Sequence, residues 1–224
     1  MSVWAVIVAA GRGERLGLDR PKAFAKLGGR PMLAESLERL DGSDWIDSIV
    51  VAAPPDWEEP VILLAEELGC SKVVAAVPGG ETRAASVRAG LAEVEDGAAV
   101  VLVHDAARPL LPEDVLERLL TTLPEGWDGV VPGVPIRDTV KRVKGDQIAG
   151  TVDRDELVIA QTPQAFVWPA LRDAAADGDD ATDCAALVEA RGGRIKLVPG
   201  DPRLLKITDQ ADLELVERWL EPVE

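Results

Sequence analysis

The sequence predicts an α/β fold of the doubly wound, Rossmann-like type, with a mostly parallel sheet and a protruding β-hairpin arm. Apolar runs without polar alternation recur along the chain, as in strands that are covered on both faces. Segments with apolar residues at helical spacing separate these runs, and such alternation builds a parallel sheet from right-handed βαβ crossovers. The polar segment Val134–Arg154 interrupts the alternation and predicts the hairpin.

The elements follow in chain order. The predicted strands are short segments rich in apolar residues: Val3–Ala9, Ile46–Ala53, Lys72–Val77, Ala98–Val103 and Arg194–Val198. The predicted helices share an apolar stripe: Pro31–Leu40, Val61–Leu68 (closed by Gly69), Thr82–Val94, Pro112–Leu123, Val167–Ala175, Asp183–Arg191 and Asp209–Leu220. The hairpin has neither pattern, turns at Lys144–Gln147 and is too polar for a core. We therefore expect it to pack against a second subunit.

Length and charge limit the classes of function. A chain of 224 residues suits one domain over residues 1–224, with the arm at about 134–156. The net charge of −16 argues against nucleic acids and anionic membranes as partners. Cys70 and Cys184 give neither a disulfide framework nor metal-ligand spacing, which favours a cytoplasmic location. The first apolar run is too short to span a membrane and has no basic leader, so we expect no signal peptide.

A glycine-rich, cationic loop follows the first strand and reads AAGRGERLGLDRPK over Ala9–Lys22. It is not a P-loop, because no Lys-Ser/Thr pair follows the glycines, and Leu16 replaces the third glycine of a dinucleotide fingerprint. Gly11 and Gly13 let the backbone approach a ligand closely. Four cations surround them: Arg12, Arg15, Arg20 and Lys22. The loop therefore predicts phosphate binding rather than a surface turn with incidental charge.

Two further motifs carry candidate binding groups. In PGGETRAASVRAGL, Gly79 and Gly80 allow close approach, and Thr82 or Ser86 could donate to a base edge or a phosphate. A Gly-Gly turn before a capped helix is also ordinary architecture. VHDAARP ends a buried strand, where open α/β sheets hold their ligands.

Within VHDAARP, Asp105 is placed to hold a hydrated Mg²⁺ that bridges triphosphate oxygens, and Arg108 to meet a phosphate. His104 is the only histidine of the chain. A phosphate monoester is already an anion near pH 7 and needs no general base. We therefore interpret His104 as a structural hydrogen-bonding residue.

The first loop resembles the signature of the sugar-phosphate nucleotidyltransferases, in which arginine and lysine contact the phosphates of a nucleoside triphosphate. HDAARP is followed by RDTVKR (Arg137–Arg142), TVDR (Thr151–Arg154) and QTPQAF (Gln161–Phe166). Together they resemble the 2-C-methyl-D-erythritol 4-phosphate cytidylyltransferase family of the non-mevalonate isoprenoid pathway. The resemblance runs from Ala9 to Leu204–Thr208. It implies transfer of CMP from CTP to a C5 polyol phosphate, with release of pyrophosphate.

The resemblance also implies roles for individual residues. Arg15 and Lys22 would stabilise the transition state, and Arg154 and Lys206 would position the acceptor phosphate. The arm would cross to the partner in a homodimer. The implied nucleotide-binding residues are Ala9, Ala10, Gly11, Gly13, Gly79, Gly80, Glu81, Ser86 and Ala106. The implied acceptor-binding residues are Asp105, Arg108, Thr139, Arg154, Thr162 and Lys206, with Asp105 also the metal ligand.

Other functions are compatible with parts of these motifs. Cytidylyltransferases for ribitol 5-phosphate or another polyol phosphate share most of these motifs, whereas molybdenum-cofactor nucleotidyltransferases would lack RDTVKR and TVDR. A catalytically silent sugar-nucleotide sensor would have no need of transition-state cations. Two positions depart from the family pattern: Ala23 stands where an amide is common, and Asp209 is interpreted as the N-cap of the last helix rather than a metal ligand.

Overall fold

The computed structural model describes residues 2–11, 13, 16–17, 19–176 and 181–220. The strands in this part of the chain are β1 Val3–Val8, β2 Lys26–Leu27, β3 Arg30–Pro31, β4 Ser48–Ala53, β5 Val73–Pro78, β6 Val100–Asp105, β7 Gly129–Pro135, β8 Val140–Lys144, β9 Gln147–Val152, β10 Val158–Ala160, β11 Gln164–Val167 and β12 Ile195–Pro199. The α-helices are α1 Met32–Asp41, α2 Glu58–Leu68, α3 Arg83–Leu91, α4 Glu113–Thr122, α5 Trp168–Ala175, α6 Cys184–Ala190 and α7 Gln210–Leu220. None of these helices is long and apolar enough to cross a membrane.

One large sheet organises the molecule. Strands β5, β4, β1 and β6 lie side by side and parallel, with Ala5 of β1 opposite Ile49 of β4 and Leu102 of β6. Strand β11 runs antiparallel between β6 and β7, β12 pairs in parallel with β7, and β10 pairs antiparallel with the end of β7. The prediction of a mostly parallel sheet is confirmed.

Helices cover both faces of this sheet, which makes the fold doubly wound as predicted. Alternate residues of β1 enter opposite cores: Ala5 and Ile7 pack with α1, α2 and α4, while Trp4 and Val6 pack with α3, α5 and α6. This explains the unbroken apolar run of β1, because both sets of side chains leave water. A third cluster joins α7 to the β2–β3 hairpin and includes Leu213 and Leu27.

Local signals fix several helix ends. Gly69 adopts φ +70°, a left-handed conformation that glycine adopts without steric penalty, and ends α2 as predicted. The hydroxyl of Thr82 accepts from the Ala85 amide at the start of α3. The Asp209 carboxylate accepts from the Asp212 amide over 3.0 Å, so Asp209 caps α7.

Strands β7, β10 and β11 were not predicted, and the hairpin proved shorter than expected because Val134 belongs to β7. Strand β7 contains two glycines and two prolines, which hid its apolar pattern. The glycines are required by crowding: a Cβ at Gly129 would lie 2.5 Å from Phe166, and one at Gly133 would lie 2.7 Å from Leu197. The side chains of Phe166 and Leu197 occupy the space that larger residues in β7 would need.

The arm consists of β8 and β9, joined by a tight turn in which Gly145 adopts φ +63°. The turn lies where it was predicted. Its surface is largely exposed and carries two apolar side chains on paired positions, Val143 and Ile148, which are 66% and 67% exposed. An apolar pair displayed this openly on a hairpin suits a contact with another protein surface.

Candidate active site

The carboxyl ends of β1, β4, β5 and β6 open into one cavity of about 840 Å³. Parallel α/β sheets hold ligands at this edge because the loops after adjacent strands converge there. The lining residues come from several segments and include Ala9–Gly11, Asp19–Ala23, Pro54, Pro55, Trp57, Gly79–Arg83, Ser86, Asp105–Ala107 and Lys206. The cavity therefore unites the first loop, the Gly-Gly loop and the end of VHDAARP, as the motifs indicated.

The first loop packs tightly against Lys22, the cationic residue at its end. Gly13 adopts φ +67°, and a Cβ there would lie 2.7 Å from Cβ of Lys22, so no larger residue fits. Ala9, Ala10 and Gly11 line the cavity, and Lys22 begins a three-residue 3₁₀ turn at its wall. The predicted transition-state residue Arg15 lies outside the described residues, as does Arg12.

The Gly-Gly loop is shaped by contacts with the first loop. A Cβ at Gly79 would lie 2.3 Å from Cβ of Ala10, so the two loops meet without room for a side chain on the glycine. Ser86 Oγ accepts from the Gly80 amide over 3.1 Å and donates to the Thr82 carbonyl over 3.0 Å. The only hydroxyl proton of Ser86 is thus engaged within the loop. Glu81 is exposed at the rim.

A buried carboxylate with two cationic partners forms the floor of the cavity. Arg83 Nε donates to Asp105 Oδ1 over 2.9 Å, and Lys206 Nζ donates to Asp105 Oδ2 over 2.6 Å. Burial by itself would raise the pKa of Asp105, but the charges of Arg83 and Lys206 outweigh it and hold the pKa well below 3.8. Asp105 is therefore an anion at any physiological pH, and both of its neighbours are fixed by it.

Arg83 is a site residue that the sequence analysis missed. It is the first residue of α3, where a cation faces the positive end of the helix dipole and is unfavourable. An arginine in that position needs an anionic partner nearby, and this was the signal available in the sequence. The partner is Asp105, at the end of β6.

Beneath the cavity, a chain of hydrogen bonds holds the VHDAARP loop. The Asp105 amide donates to Thr162 Oγ over 3.0 Å, Thr162 Oγ lies 3.4 Å from His104 Nδ1, and His104 Nε2 lies 3.2 Å from the Arg108 carbonyl. Burial lowers the pKa of His104 from 6.5 to about 4, so the imidazole is neutral. One ring nitrogen can then donate to the carbonyl while the other accepts from the hydroxyl. His104 and Thr162 thus hold the backbone of Asp105 in place through hydrogen bonds beneath the cavity.

Four predicted acceptor-binding residues lie outside the cavity lining of this chain, and one of them is Thr162, which bonds to the Asp105 amide. Arg108 is buried and donates to the carbonyls of Leu204 and Ala160 over 2.5 and 3.4 Å, so in this chain it joins the loop after β6 to two other segments. Thr139 and Arg154 are exposed beside the arm, and the Arg154 guanidinium donates to the Arg137 carbonyl. Lys22, Asp105, Ala106 and Lys206 are brought together at the cavity.

The residues around Asp105 suit a metal ion that is held mainly by substrate phosphates and by a single protein carboxylate. The described residues contain no group of three or more His, Cys, Asp or Glu side chains that could form a metal cage. Magnesium commonly binds one or two carboxylates together with water and substrate phosphates. Oδ2 of Asp105 accepts one hydrogen bond, from Lys206, and retains a further lone-pair direction, so the carboxylate could serve as such a ligand.

Comparison with known proteins agrees with the motifs. Residues 3–222 match the family model described as 2-C-methyl-D-erythritol 4-phosphate cytidylyltransferase. The enzyme of that name from Saccharopolyspora erythraea is 46% identical over 98% of this chain and 100% of its own, and that from Nocardia farcinica is 45% identical over 98% and 94%. The crystal structure of the enzyme from Thermus thermophilus superposes with a TM-score of 0.79 at 32% identity, covering 98% of each chain.

Proposed function

The chain belongs to the 2-C-methyl-D-erythritol 4-phosphate cytidylyltransferase family, and from that premise we propose that it transfers CMP from CTP to 2-C-methyl-D-erythritol 4-phosphate. The products are 4-diphosphocytidyl-2-C-methyl-D-erythritol and pyrophosphate, and the reaction belongs to isoprenoid precursor biosynthesis. The observation that carries this proposal is the Arg83–Asp105–Lys206 cluster beside Lys22 in one cavity with the glycine loops.

The chemistry requires two anions to meet. An oxygen of the acceptor phosphate attacks the α-phosphorus of CTP, a new P–O bond forms, and the bond to the bridging oxygen breaks with its electron pair leaving on pyrophosphate. The attacking oxygen is already ionised, so no general base is required, in keeping with a neutral, buried His104. The protein accelerates the step by orientation and by neutralising charge.

Each cavity cation has a task in this scheme. Lys22 faces the triphosphate and stabilises the charge that develops on it, together with Arg15, as the family resemblance implies. Lys206 receives the acceptor phosphate. Asp105 keeps the ammonium of Lys206 within 2.6 Å, and Arg83 keeps Asp105 in place, so the acceptor cation is oriented before the substrate arrives.

Mg²⁺ is the cofactor we propose, held by the CTP phosphates with Asp105 as its protein ligand. When bound, it would supply positive charge to the triphosphate. Asp105 sits at the edge where the triphosphate is expected, and its low pKa keeps it ionised as a ligand must be.

A homodimer with exchanged arms is the assembly we propose. Arg154 and Thr139 are exposed and outside the cavity of their own chain. Val143 and Ile148 give the arm an apolar surface of the kind that subunit contacts cover. In this assembly the arm brings Arg154 to the acceptor phosphate of the partner's site. Two free, buried cysteines agree with the cytoplasmic location proposed for the enzyme.

The test follows pyrophosphate release from CTP and Mg²⁺ with 2-C-methyl-D-erythritol 4-phosphate, and in parallel with ribitol 5-phosphate. We expect turnover chiefly with the first acceptor. Lys22→Ala should lower kcat by about 10²–10³-fold, the usual loss for one preorganised electrostatic donor. Lys26→Ala removes an exposed lysine four residues away that does not line the cavity, and should leave kcat unchanged. Equal activity of both variants would remove Lys22 from the mechanism.

A further inference from the structure

An aromatic pair lies beside the cavity, and one of its two rings lines it. The rings of Phe24 and Trp57 have centroids 4.5 Å apart and an interplanar angle of 48°. Trp57 also lines the cavity itself. Phe24 is the last residue of the 3₁₀ turn that Lys22 begins, so the pair connects Trp57 to the backbone that carries the lysine.

This turn has little internal support. It spans three residues, with the Phe24 amide donating to Pro21 over 2.9 Å and the Ala25 amide donating to Lys22 over 3.0 Å. Such short 3₁₀ turns have poor hydrogen-bond geometry and depend on side-chain packing for a fixed orientation. Gly13 packs against the Lys22 side of the turn. The ring of Phe24 is the other large anchor, and its aromatic partner is Trp57.

The segment after β4 holds Trp57 in a constrained position. Pro54 and Pro55 restrict the backbone, and the Trp57 amide donates to the Pro54 carbonyl over 3.0 Å. Between them, Asp56 adopts φ +68°, the left-handed region that residues other than glycine seldom occupy. Strain of this kind persists where the surrounding structure enforces it, often beside functional sites. In this turn the chain reverses, and the indole of Trp57 contacts Phe24 and lines the cavity.

We propose that Trp57 is a positioning residue for the transfer reaction, acting through Phe24 to fix the turn that presents Lys22. The inference rests on the proposed role of Lys22 and adds a residue that the first loop and the motifs do not contain. A displaced lysine loses most of its effect, because an error of about 1 Å in a catalytic group can cost roughly 10²-fold in rate. Trp57 therefore influences kcat without touching the reacting atoms.

The test is a double-mutant cycle on kcat, with Trp57→Ala and Lys22→Ala made singly and together. Trp57→Ala should lower kcat about tenfold or more. In the Lys22→Ala background the same change should lower kcat less than about twofold, because the group it positions is gone. Trp57→Phe keeps a ring beside Phe24 and should retain most of the activity. Trp45→Ala removes another partly exposed tryptophan, outside the cavity, and serves as the control.

Phe24→Leu tests the same contact from the other side and should also lower kcat, which covers the case in which Trp57→Ala folds poorly by circular dichroism. Equal fold losses in both backgrounds, or an unchanged kcat in Trp57→Ala, would overturn the proposal. A raised KM for CTP with an unchanged kcat would overturn it too, by making Trp57 a nucleoside contact. Failure of the proposed function gives a different result, since the unmodified enzyme would then release no pyrophosphate with either acceptor.

Discussion

Acid should destabilise this protein through its only histidine, whose imidazole is buried in the neutral form. His104 is completely buried, and its pKa falls from 6.5 to about 4 because burial penalises the charged imidazolium. Above pH 6.5 the imidazole is neutral in both the folded and the unfolded chain, so its contribution to stability is fully present. As the pH falls from 6.5 to 4, the unfolded chain binds a proton that the folded chain refuses, and the free energy of unfolding decreases.

The size of the loss follows from the difference between the two pKa values. At about 1.4 kcal/mol for each unit, the free energy of unfolding should fall by roughly 3 kcal/mol between pH 7 and pH 4. Asp105 behaves differently, because its pKa is lowered from 3.8 and its contribution is lost only below that value. The two effects therefore occupy separate pH ranges.

Urea denaturation at pH 7, 6, 5 and 4.5 measures this effect directly. His104→Gln keeps a hydrogen-bonding side chain without a titrating ring, so its free energy of unfolding should lose the decrease seen in the unmodified protein. Proton NMR offers an independent measurement, since one histidine gives one imidazole titration. An imidazole pKa near 6.5 in the folded protein, or identical pH dependence of the two proteins, would refute the reasoning.

Two further predictions concern the glycine loops and the arm. Gly79→Ala places a Cβ 2.3 Å from a neighbouring side chain and should lower the free energy of unfolding by about 1–3 kcal/mol and weaken CTP binding, whereas Gly97→Ala, with nothing within 4 Å, should do neither. Denaturation and calorimetric titration compare the two variants, and equal behaviour would show that the loops do not touch. Mixing inactive Lys22→Ala and Arg154→Ala homodimers under subunit exchange should restore activity, because one site of each heterodimer then carries neither change. No recovery in verified heterodimers would place Arg154 in the site of its own chain.

The parts of the fold that the sequence predicted are those where one physical pattern dominates. Strands β1, β4 and β6 are buried on both faces, and their apolar runs have no other explanation. Strand β7 obeys a different constraint: its glycines accommodate Phe166 and Leu197, and those neighbours are distant in sequence. Crowding between residues that are distant in sequence leaves no local sequence pattern from which the strand could be predicted.

The candidate site also has some residues that local sequence patterns predict and others that they do not. The glycine loops and Asp105 were found because a strand that ends in small or charged residues is a local signal. The pairing of Arg83 with Asp105 depends on the start of α3 meeting the end of β6, and the position of Trp57 depends on a strained turn. The role proposed for Arg154 would depend on a second chain, which no pattern within one chain can place.

The ion pair between Asp105 and Lys206 joins residues 101 positions apart, and the Arg108–Leu204 hydrogen bond spans 96. Both contacts tie the segment of Leu204 and Lys206 to the end of β6, and closing a loop of this length costs chain entropy. The cluster of Arg83, Asp105 and Lys206 is therefore complete only when this segment has docked, so the floor of the cavity depends on a part of the chain that lies outside the sheet.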